Sequence, residues 1–515
     1  MSSLEFERIT VLPMDEYNQR LVANVHPENW VNPQPANCYD LVVIGAGTAG
    51  LVVAAGAAGL DLGLKVALIE KNLMGGDCLN IGCIPSKSLI RSARVIGEMW
   101  KAKNLGVNIS QHINVDFATV MSRLRRIRAG ISHHDSAARF KNLGVDVFLG
   151  NGKFASKNTI DVDGQILKFK KAVIATGARA IKPEICGIEA AGYLTNENVF
   201  SLIQKPDKLA VIGGGPIGCE LAQAFRRLGC KVTLFHNSSH ILNKEDREAT
   251  DILQRVFTDE GIRLVLNCQL EEVVTVTEGK RLYFSSHGNR DSVTVNEILV
   301  GAGRVPSVEG LNLEAVGVEY DQKLGVKVND YLQTTNSNIY AAGDICMNWK
   351  FTHAADAAAR IVIKNTLFSP FGLGRSRLSS LVIPRVTYTD PEIAHVGIYA
   401  DEAERLGIEI ETIKIGFNNV DRAITDSQEA GFLKIHHKKG SDEIIGATIV
   451  ASHGGEMISG ITTAIVNKIG LSKLSSVIHP YPTQAEAIKK AADAYRCTLI
   501  TPRTKKLLGF LTKFS

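Results

Sequence analysis

A glycine-rich turn that follows an apolar strand and opens a helix of small residues occurs twice in this chain. The first copy follows Leu41–Ile44 and the second follows Leu209–Ile212. In a βαβ unit the first glycine permits a tight turn, the second lets a pyrophosphate approach the backbone, and the third lets the helix pack on the strand. The phosphate lies at the positive end of the helix. The two copies predict two nucleotide-binding units, and their glycines are Gly45, Gly47, Gly50, Gly213, Gly215 and Gly218.

The residue that ends the next strand predicts which nucleotide each unit prefers. Glu70 ends the first of these strands, twenty residues after Gly50, where a carboxylate holds a ribose hydroxyl. In the second copy the strand Lys231–Phe235 is followed by His236. Because no carboxylate stands there to repel a 2′-phosphate, the second unit is expected to favour NADP(H) over NAD(H).

Composition and charge narrow the class of protein. The chain has 515 residues, of which 45% are hydrophobic and 22% charged, as in a soluble globular protein of several domains. The net charge of +5 comes without a basic block, so nucleic acid is not an expected partner. Leu41–Leu60 is long and apolar enough to suggest a membrane helix. Its glycines favour a buried strand, turn and helix instead, so no membrane span is expected.

The cysteines indicate a reducing compartment. There are nine, scattered and odd in number, unlike the framework of a small secreted protein. The first ten residues, Met1–Thr10, mix apolar and charged side chains and lack the apolar core of a secretory signal. We therefore expect a cytoplasmic protein.

Two of the cysteines, Cys78 and Cys83, are five positions apart in the glycine-containing segment Gly75–Lys87. On a regular helix their Cα atoms would be about 7.5 Å apart, beyond the ~7 Å limit for a disulfide. If they pair, the chain must distort around Gly82 and place them at a helix start, where the dipole favours a reactive thiolate. Two unrelated buried cysteines and half of a zinc site are the alternatives. No second CxxC pair completes a zinc site.

The combined motifs resemble the pyridine nucleotide–disulfide oxidoreductases, the family of glutathione reductase, dihydrolipoyl dehydrogenase and mercuric reductase. The resemblance runs from about Tyr39 to Thr498. Besides the cysteine segment, its motifs are Ala175-Thr176-Gly177, Gly343-Asp344 and Tyr388–Ala394. It implies that the first nucleotide-binding unit holds FAD and that the second holds NADPH.

The resemblance also implies roles for individual residues. Cys83 lies against the flavin, and Cys78 faces the substrate. Lys87 is expected near the flavin and paired with Glu220, although an ordinary ion pair is the simpler interpretation. Both cysteines would hold a substrate metal ion transiently. The implied catalytic residues are Cys78, Cys83, Lys87, Glu220, Tyr481 and Glu486. The implied cofactor-binding residues are Gly45, Gly47, Gly50, Glu70, Gly76, Lys87, Thr176, Gly177, Gly213, Gly215, Gly218, His236, Gly303, Arg304, Gly343, Asp344 and His353.

The fold class implied is α/β, with two Rossmann-like nucleotide-binding domains, for FAD and NADPH, and an α+β dimerisation domain that forms a homodimer. Alternating apolar residues from about Leu381 predict an antiparallel sheet, followed by a helix around Met457–Ile469. The basic tail is expected to form a surface-packed helix, with membrane-surface contact as the alternative. The expected segments are an extension without clear periodicity at 1–38, an FAD domain at 39–190 and 307–375, an NAD(P)H domain at 191–306, a dimerisation domain at 376–498 and the tail at 499–515.

One residue near the C-terminus separates members of this family. Disulfide-reducing members carry a histidine in a His-Pro-Thr run that acts as the acid–base group. Here Tyr481 takes that place before Pro482-Thr483, and His479 lies two residues away. A phenol with a pKa near 10 moves protons poorly at pH 7. Tyrosine at this place resembles mercuric reductases, because Hg(II) needs soft thiolate ligands and electrons but no acid for a leaving thiol. A packing residue at a dimer interface is the alternative role for Tyr481.

The sequence therefore predicts an FAD-dependent, NADPH-driven mercuric reductase that converts Hg(II) to Hg(0). Two departures stand against it: the tail Thr501–Ser515 has no cysteine pair, with Cys497 the only late cysteine, and no N-terminal CxxC occurs. A dihydrolipoyl dehydrogenase-like enzyme that uses His479, a reductase of another metal or a quinone, and a redox-responsive binding protein are the alternatives. Cys78 is expected to be exposed, with a lowered pKa, and open to a mixed disulfide with a small thiol such as glutathione.

Overall fold

The computed structural model of the protein describes residues 11–109 and 113–513. The expectation about a secretory signal in Met1–Thr10 lies outside the described residues. In chain order the helices are α1 (Glu16–Val25), α2 (Thr48–Ala58), α3 (Gly76–Asn80), α4 (Cys83–Lys101), α5 (Phe117–Ile131), α6 (Ala137–Asn142), α7 (Ile188–Ala191), α8 (Pro216–Arg227), α9 (Arg247–Asp259), α10 (Thr352–Leu367), α11 (Ala400–Arg405), α12 (Asp421–Thr425), α13 (Gly454–Val466), α14 (Leu471–Leu474), α15 (Glu486–Thr498) and α16 (Pro502–Leu511).

Strands alternate with these helices along most of the chain. They are β1 (Tyr39–Ile44), β2 (Val66–Glu70), β3 (Val145–Leu149), β4 (Gly152–Ser156), β5 (Thr159–Val162), β6 (Gln165–Ile174), β7 (Ala178–Ala180), β8 (Lys208–Ile212), β9 (Lys231–Phe235), β10 (Arg263–Val265), β11 (Cys268–Val276), β12 (Gly279–Ser286), β13 (Asn289–Val295), β14 (Glu297–Val300), β15 (Arg304–Pro306), β16 (Tyr320–Asp321), β17 (Gly325–Val326), β18 (Ile339–Ala341), β19 (Arg385–Thr387), β20 (Glu392–Gly397), β21 (Ile410–Gly416), β22 (Phe432–Lys438) and β23 (Ile444–Ala451).

The chain divides into two compact units. The first comprises Met1–Gly213, Ala224–Phe235 and Gln269–Leu381, and the second comprises Gly214–Gln223, His236–Cys268 and Val382–Ser515.

A seven-stranded sheet organises the first unit. Its order is β3-β2-β1-β6-β5-β4, and β18 also pairs with β6. β1, β2, β3, β6 and β18 pair in parallel, so their carboxyl ends share one edge. The β1 residues Leu41, Val42 and Val43 are fully buried, as expected of a parallel strand covered on both faces. This is the α/β architecture that the repeat predicted.

The apolar run Leu41–Leu60 forms the end of β1 and helix α2, as the sequence predicts. The small side chains of α2 let another helix approach closely: a Cβ on Gly56 would lie 2.5 Å from the Cδ1 of Ile363 on α10. Within the described residues no helix is both long and apolar enough to cross a membrane.

The second glycine turn follows a strand of a separate parallel sheet, whose strands β8, β9 and β14 belong to the first unit. β8 pairs with β9 and with β14, in parallel in both cases. Glycine follows β8 at Gly213, whose φ of +111° is left-handed, and α8 starts at Pro216. The repeat is therefore structural as well as sequential.

The second unit contains an antiparallel five-stranded sheet in the order β19-β20-β23-β22-β21. The sequence predicts this sheet and the helix that follows it, which is α13. Apolar residues of β22 and β23, such as Leu433 and Ile449, pack with Ile458 and Ile461 of α13 in one core.

The extension before residue 39 shows no clear periodicity in its sequence, yet α1 forms within it and packs on α5. It buries Asn18, Leu21 and Val25, and the polar Asn18 hides the helical periodicity. The tail forms a helix, α16, and none of its described side chains is fully buried.

Candidate active site

The first glycine turn lies at the carboxyl edge of the seven-stranded sheet. A Cβ on Gly45 would lie 2.5 Å from the carbonyl oxygen of Ala175, at the end of β6, and φ at Gly45 is +100°. Ala342, beyond the end of β18, donates to Ile174 O over 3.1 Å. Gly45, Thr176-Gly177 and Gly343-Asp344 therefore follow three neighbouring strands at one edge, where open α/β sheets bind their ligands.

The segment with the two cysteines touches the glycine turn directly. A Cβ on Gly76 would lie 2.6 Å from the Cα of Gly47, and φ at Gly76 is +55°. Gly50, by contrast, serves packing, because a Cβ there would lie 1.8 Å from Gly45 O. A Cβ on Gly47 would meet no protein atom closer than 3.8 Å. The space beside Gly47 is therefore left for something other than protein.

Cys78 and Cys83 meet because the helix between them is broken. Cys78 lies in α3, Ile81 ends that helix, and Gly82 has φ −128° and ψ −115° before Cys83 begins α4. Their thiols are in hydrogen-bonding contact, and no disulfide joins them in this structure. This is the distortion around Gly82 that pairing requires.

The expectation of an exposed Cys78 with a lowered pKa is wrong. Cys78 is partly buried. The contact with Cys83 and the burial raise the pKa of the Cys78 thiol above its ordinary value. Negative charge on Cys78 beside Cys83 is therefore unfavourable.

Two helix N-termini meet at Cys83. It is the first residue of α4, and its Sγ lies 3.3 Å from the Oγ1 of Thr352, the first residue of α10. The positive ends of both helices and the hydroxyl favour negative charge on this sulfur. Thr352 also bonds to Cys78. Thr352 is not among the residues predicted from the sequence, although its neighbour His353 is; His353 is exposed and stacks on Phe351.

Arg304 connects the cysteine segment with the Gly343-Asp344 turn. Its guanidinium forms an ion pair with Asp77, lies 3.6 Å from a carboxylate oxygen of Asp344, and donates to Ala178 O over 2.9 Å. Burial raises the pKa of Asp344, and the Arg304 charge opposes that rise. Asp77 was also missed, although it lies inside the segment that the sequence analysis singled out.

Glu70 anchors the glycine turn from the next strand. Its carboxylate accepts from Ala46 N over 2.7 Å and from Asn72 N over 2.8 Å. The side chain is buried, which raises its pKa, while the two backbone bonds oppose the rise. Each carboxylate oxygen keeps a second lone pair, so a ribose hydroxyl can still donate to it.

The remaining predicted residues of the first unit have simpler surroundings. Lys87 lies half-buried on α4, four residues and about one turn after Cys83, so both side chains share a helix face. Thr176 Oγ1 donates to Ser307 O over 3.0 Å. Gly177 and Gly303 have φ of +70° and +127°, and a Cβ on either would meet nothing within 4 Å.

His236 of the second unit lies against the second glycine turn. Its Nδ1 accepts from Gly214 N over 3.2 Å, and burial lowers its pKa, so the ring is neutral at pH 7. Its Nε2 is buried without a hydrogen-bond partner among the described residues. A Cβ on Gly215 would meet nothing within 4 Å, which leaves room above the turn. Gly218 is buried within α8.

Glu220, also on α8, is buried in the second unit. Its Oε1 accepts from Tyr388 N over 2.9 Å, which joins it to the predicted motif Tyr388–Ala394. The neighbouring Gln223 extends this link, since its side chain donates to Asp390 O and accepts from Asp390 N. The pairing of Glu220 with Lys87 stays a prediction.

The C-terminal run in the second unit presents Tyr481 to solvent. Its side chain is 70% exposed, and its hydroxyl donates to Asp421 Oδ2 over 3.0 Å. This bond raises the pKa of the phenol further. Glu486, the first residue of α15, lies 3.7 Å from Lys490, and its Oε2 is buried without a partner among the described residues. His479 bonds to Val477 O over 3.2 Å.

Comparison with known proteins identifies the family. The family model described as pyridine nucleotide-disulphide oxidoreductase matches residues 39–359, and that of the dimerisation domain of the same family matches residues 383–492. The chain belongs to the pyridine nucleotide–disulphide oxidoreductase family. It is an oxidoreductase of the flavoprotein disulfide reductase type, whose members use FAD and NAD(P)H.

Individual relatives carry different names. The chain is 33% identical over 454 residues to a mercuric reductase of Lysinibacillus sphaericus, which covers 88% of this chain and 82% of that protein. It is 31% identical over 478 residues to a dihydrolipoyl dehydrogenase of Chlamydia muridarum, with 91% and 99% covered. Among solved structures, a Cu(II) complex of the HOCl-induced flavoprotein disulfide reductase RclA from Escherichia coli has a TM-score of 0.76 and 26% identity, with 87% and 98% covered.

The residues of both turns fit the two cofactors. A Cβ on Gly45 would lie 2.5 Å from Ala175 O, and a Cβ on Gly213 would lie 2.6 Å from Gly301 O, so both turns require glycine. Gly47 and Gly215 instead border open space. Glu70 and Asp344 offer carboxylates at the first turn, and His236 leaves a buried Nε2 at the second. These donor sets suit FAD at the first turn and NAD(P)H at the second.

Proposed function

We propose that this oxidoreductase is an NADPH-dependent mercuric reductase in which Cys78 and Cys83 hold Hg(II) for reduction to Hg(0). The observation that carries the proposal is the state of Tyr481. Its hydroxyl donates to Asp421, and this bond raises its pKa, so it is a poor acid at pH 7. Reduction of a metal ion needs no proton for a leaving thiol, whereas reduction of a disulfide does.

The two cysteines supply the ligands that Hg(II) requires. Their thiols are in contact, and soft thiolates are the protein ligands that soft metal ions prefer. Binding of the metal displaces both protons, because the ligands are thiolates. The contact with Cys83 and burial raise the pKa of Cys78, and the positive charge of Hg(II) opposes both effects by favouring the thiolate. The pair is therefore better suited to a dication than to two separate thiolates.

When bound, FAD at the first glycine turn and NADPH at the second would supply the two electrons that convert Hg(II) to Hg(0), with NADPH oxidised to NADP⁺ and H⁺. The chain's own residues hold the parts in place. Thr352 and the ends of α4 and α10 favour charge on Cys83, and Arg304 fixes the cysteine segment through Asp77. Lys87 and Glu220 are proposed as a pair near the flavin.

NADPH is the proposed electron donor because no carboxylate follows β9. The ring of His236 is neutral, so it does not itself attract a 2′-phosphate by charge. Lys244 and Arg247 are the cations that follow His236 within twelve positions of the sequence. Arg247 lies 3.0 Å from Asp251, so Lys244 is the proposed contact for a phosphate. The choice of NADPH over NADH therefore depends on the absence of repulsion more than on a dedicated cationic site.

The protein is proposed to act as a cytoplasmic homodimer. The dimerisation-domain match covers residues 383–492, and apolar side chains within it are exposed in the single chain. Val466, Val477 and Ile478 are 58%, 45% and 92% exposed. A twofold contact that covers them would place Tyr481 at the interface. Light scattering should then give twice the chain mass of 55.8 kDa, and a monomer would contradict this part of the proposal.

The test is Hg(II)-dependent oxidation of NADPH by the purified holoenzyme, with excess small thiol to deliver the metal. Cys78→Ser and Cys83→Ser should abolish turnover while bound FAD remains. Cys497→Ser, at an exposed cysteine, and Tyr481→Phe should keep most of it. Turnover that survives the loss of either inner cysteine would exclude the proposal.

Other electron acceptors give distinct outcomes. Rapid turnover with dihydrolipoamide and NAD⁺, lost in His479→Gln, would establish the dihydrolipoyl dehydrogenase alternative. Turnover with Cu(II) but not Hg(II) would indicate a reductase of another metal, as the RclA complex suggests. Reversible addition of glutathione to the wild type but not to Cys78→Ser, read by intact-protein mass spectrometry after treatment with oxidised glutathione, would establish a mixed disulfide at Cys78.

A further inference from the structure

The N-terminal helix α1 lies before residue 39, where the family match begins. It is nevertheless fixed to the first unit by polar contacts as well as packing. Asp15 caps α1 by accepting from Asn18 N over 3.0 Å, and its other carboxylate oxygen lies 2.5 Å from the Nε of Arg125 on α5. Asn18 is fully buried and donates to Pro13 O over 2.7 Å. The polar side chain of Asn18 is therefore held in one orientation inside the unit.

Arg128 connects this helix with the cysteine segment. It is 2% exposed, on α5. Its Nη1 donates to the carbonyl oxygen of Asn80 over 2.6 Å, and its Nη2 donates to Asn18 Oδ1 over 2.7 Å. Burial lowers the pKa of Arg128 to about 10, so it is charged at pH 7. The guanidinium thus bridges α1 and a backbone carbonyl that lies between the two cysteines.

The carbonyl that Arg128 binds belongs to the last residue of α3. The last carbonyls of a helix have no partner within it, and a buried one is costly unless something else donates to it. Asn80 also donates its side-chain Nδ2 to Met74 O over 3.1 Å and to Gly76 O over 2.9 Å. Both ends of α3 are therefore tied to Asn80, and Asn80 is tied to Arg128.

A buried cation is an expensive way to stabilise a fold. The two bonds from Arg128 go to neutral oxygens, and its Nε has no hydrogen-bond partner among the described residues. An apolar side chain of similar volume is often as stable at such a place. The planar guanidinium instead fixes the geometry of its partners, because it donates to Asn80 O and to Asn18 Oδ1 at the same time.

We propose that Arg128 is a positioning residue for the redox pair: oriented by Asn18 of α1, it caps α3 at Asn80 and so fixes the break that brings Cys78 against Cys83. The inference depends on the proposed function, in which these cysteines form the redox pair. The N-terminal helix α1 then has a function, because through Asn18 it affects the stability of the Cys78–Cys83 disulfide relative to the dithiol. Loss of this bridge lets the sulfurs separate and makes their disulfide less stable relative to the dithiol.

The test measures that equilibrium without turnover. The holoenzyme is incubated with glutathione and oxidised glutathione in varied ratio, so that the pair loses two electrons and two protons to glutathione disulfide, which becomes two molecules of glutathione. After an acid quench and alkylation, trypsin releases Asn72–Lys87, which contains both cysteines, for mass spectrometry. Asn18→Ala and Arg128→Lys are each expected to lower the equilibrium constant for disulfide formation about tenfold, or ~30 mV. Arg126→Lys, at an exposed neighbour on α5, should leave it unchanged.

The outcomes separate this inference from the proposed function. If the wild-type pair does not form a disulfide in any buffer, the redox role of Cys78 and Cys83 fails. If the wild-type pair does form one and folded Asn18→Ala shows the wild-type constant, only the positioning role of Arg128 is excluded. Asn18→Ala removes the amide oxygen that accepts from Arg128 and leaves the buried guanidinium in place. Arg128→Lys removes one of the two hydrogen bonds that the guanidinium donates. A shift in both variants but not in Arg126→Lys would establish the bridge.

Discussion

Cys83 Sγ lies 3.3 Å from Thr352 Oγ1, although 269 positions separate the two residues in the chain. Each is the first residue of a helix, α4 for the cysteine and α10 for the threonine. The sulfur therefore lies beside the positive N-terminal ends of two helices and beside one hydroxyl. Negative charge on this sulfur is stabilised from outside its own motif.

Thr352→Val removes the hydroxyl and keeps the side-chain shape. A hydrogen bond to a charged group contributes roughly 1.5–3 kcal/mol, so the acid dissociation constant of the Cys83 thiol should fall about tenfold or more. We expect a matching fall in the rate of alkylation of Cys83 by iodoacetamide at pH 7, read by fragment mass spectrometry that resolves it from Cys78. Thr366→Val is the control, because Thr366 lies on the same helix and, within the part of the chain that the structure describes, its hydroxyl bonds to Val362 O and Ile363 O of that helix. Equal rates in both variants would contradict the role of Thr352.

His236→Glu should change the preferred nucleotide. A carboxylate after β9 repels a 2′-phosphate and accepts from a 2′-hydroxyl. We expect the ratio of kcat/KM for NADPH to that for NADH to fall at least tenfold. His236→Asn removes the imidazole without adding charge, and it should change both substrates alike. If the ratio were similar in His236→Glu and in the wild type, residue 236 would not determine the preference for NADPH over NADH.

The buried His395 predicts loss of stability in mild acid. Burial, the Arg385 charge and His436 lower its pKa to about 3, whereas the unfolded chain has the ordinary value near 6.5. Between these values the unfolded chain binds a proton that the folded chain does not. This contribution is complete above pH 6.5 and is lost as pH falls towards 3, by about 1.4 kcal/mol per pH unit.

His395→Gln should therefore flatten the decline in urea midpoint between pH 7 and pH 5. The amide of the new side chain can still meet Thr448 and Gly397 O, the partners of the imidazole. His479→Gln is the control, because His479 is only partly buried, whereas His395 is fully buried. If the His395→Gln variant and the wild type lost stability in parallel over this range, the neutral state of buried His395 would be disproved.

Lys434→Met should destabilise the second unit. Lys434 Nζ lies 2.6 Å from Asp246 and 2.8 Å from Glu248, and its side chain is buried. Removing one partner of a buried pair leaves the other charge uncompensated, at a cost of about 3 kcal/mol. Lys414→Met is the matched control, because it pairs with the same Glu248 at the surface and should cost below about 1 kcal/mol. Thermal unfolding of the two variants and the wild type would measure the two losses of stability. Equal losses would show that burial does not make the Lys434 pair more important than the Lys414 pair.

Much of the nucleotide-binding architecture could be predicted from the sequence because its requirements are local. Gly45 and Gly213 have φ of +100° and +111°, which only glycine adopts readily. The apolar runs before them are the fully buried residues of parallel strands. Gly82 could likewise be identified as the place where the helix must break between Cys78 and Cys83. The alternation of the five-stranded sheet is equally local.

The errors have identifiable physical causes. α1 was missed because a buried polar residue, Asn18, stands where the periodicity requires an apolar one. The apolar stripe of the tail, which includes Leu507 and Phe510, predicts the helix α16 but does not reveal what surface it packs against. The pKa of Cys78 was misjudged because the sequence shows the helix start but neither the burial of the thiol nor its contact with Cys83.

The sequence by itself determined the elements, the two glycine turns and the break that a cysteine pair requires, because these follow from backbone conformation and from residues close in the chain. Only the tertiary structure decided that Thr352 meets Cys83, that Arg304 meets Asp77, and that Arg128 reaches both Asn18 and Asn80. These contacts join residues that are 48 to 269 positions apart. Their geometry depends on how strands and helices pack, which no local pattern specifies.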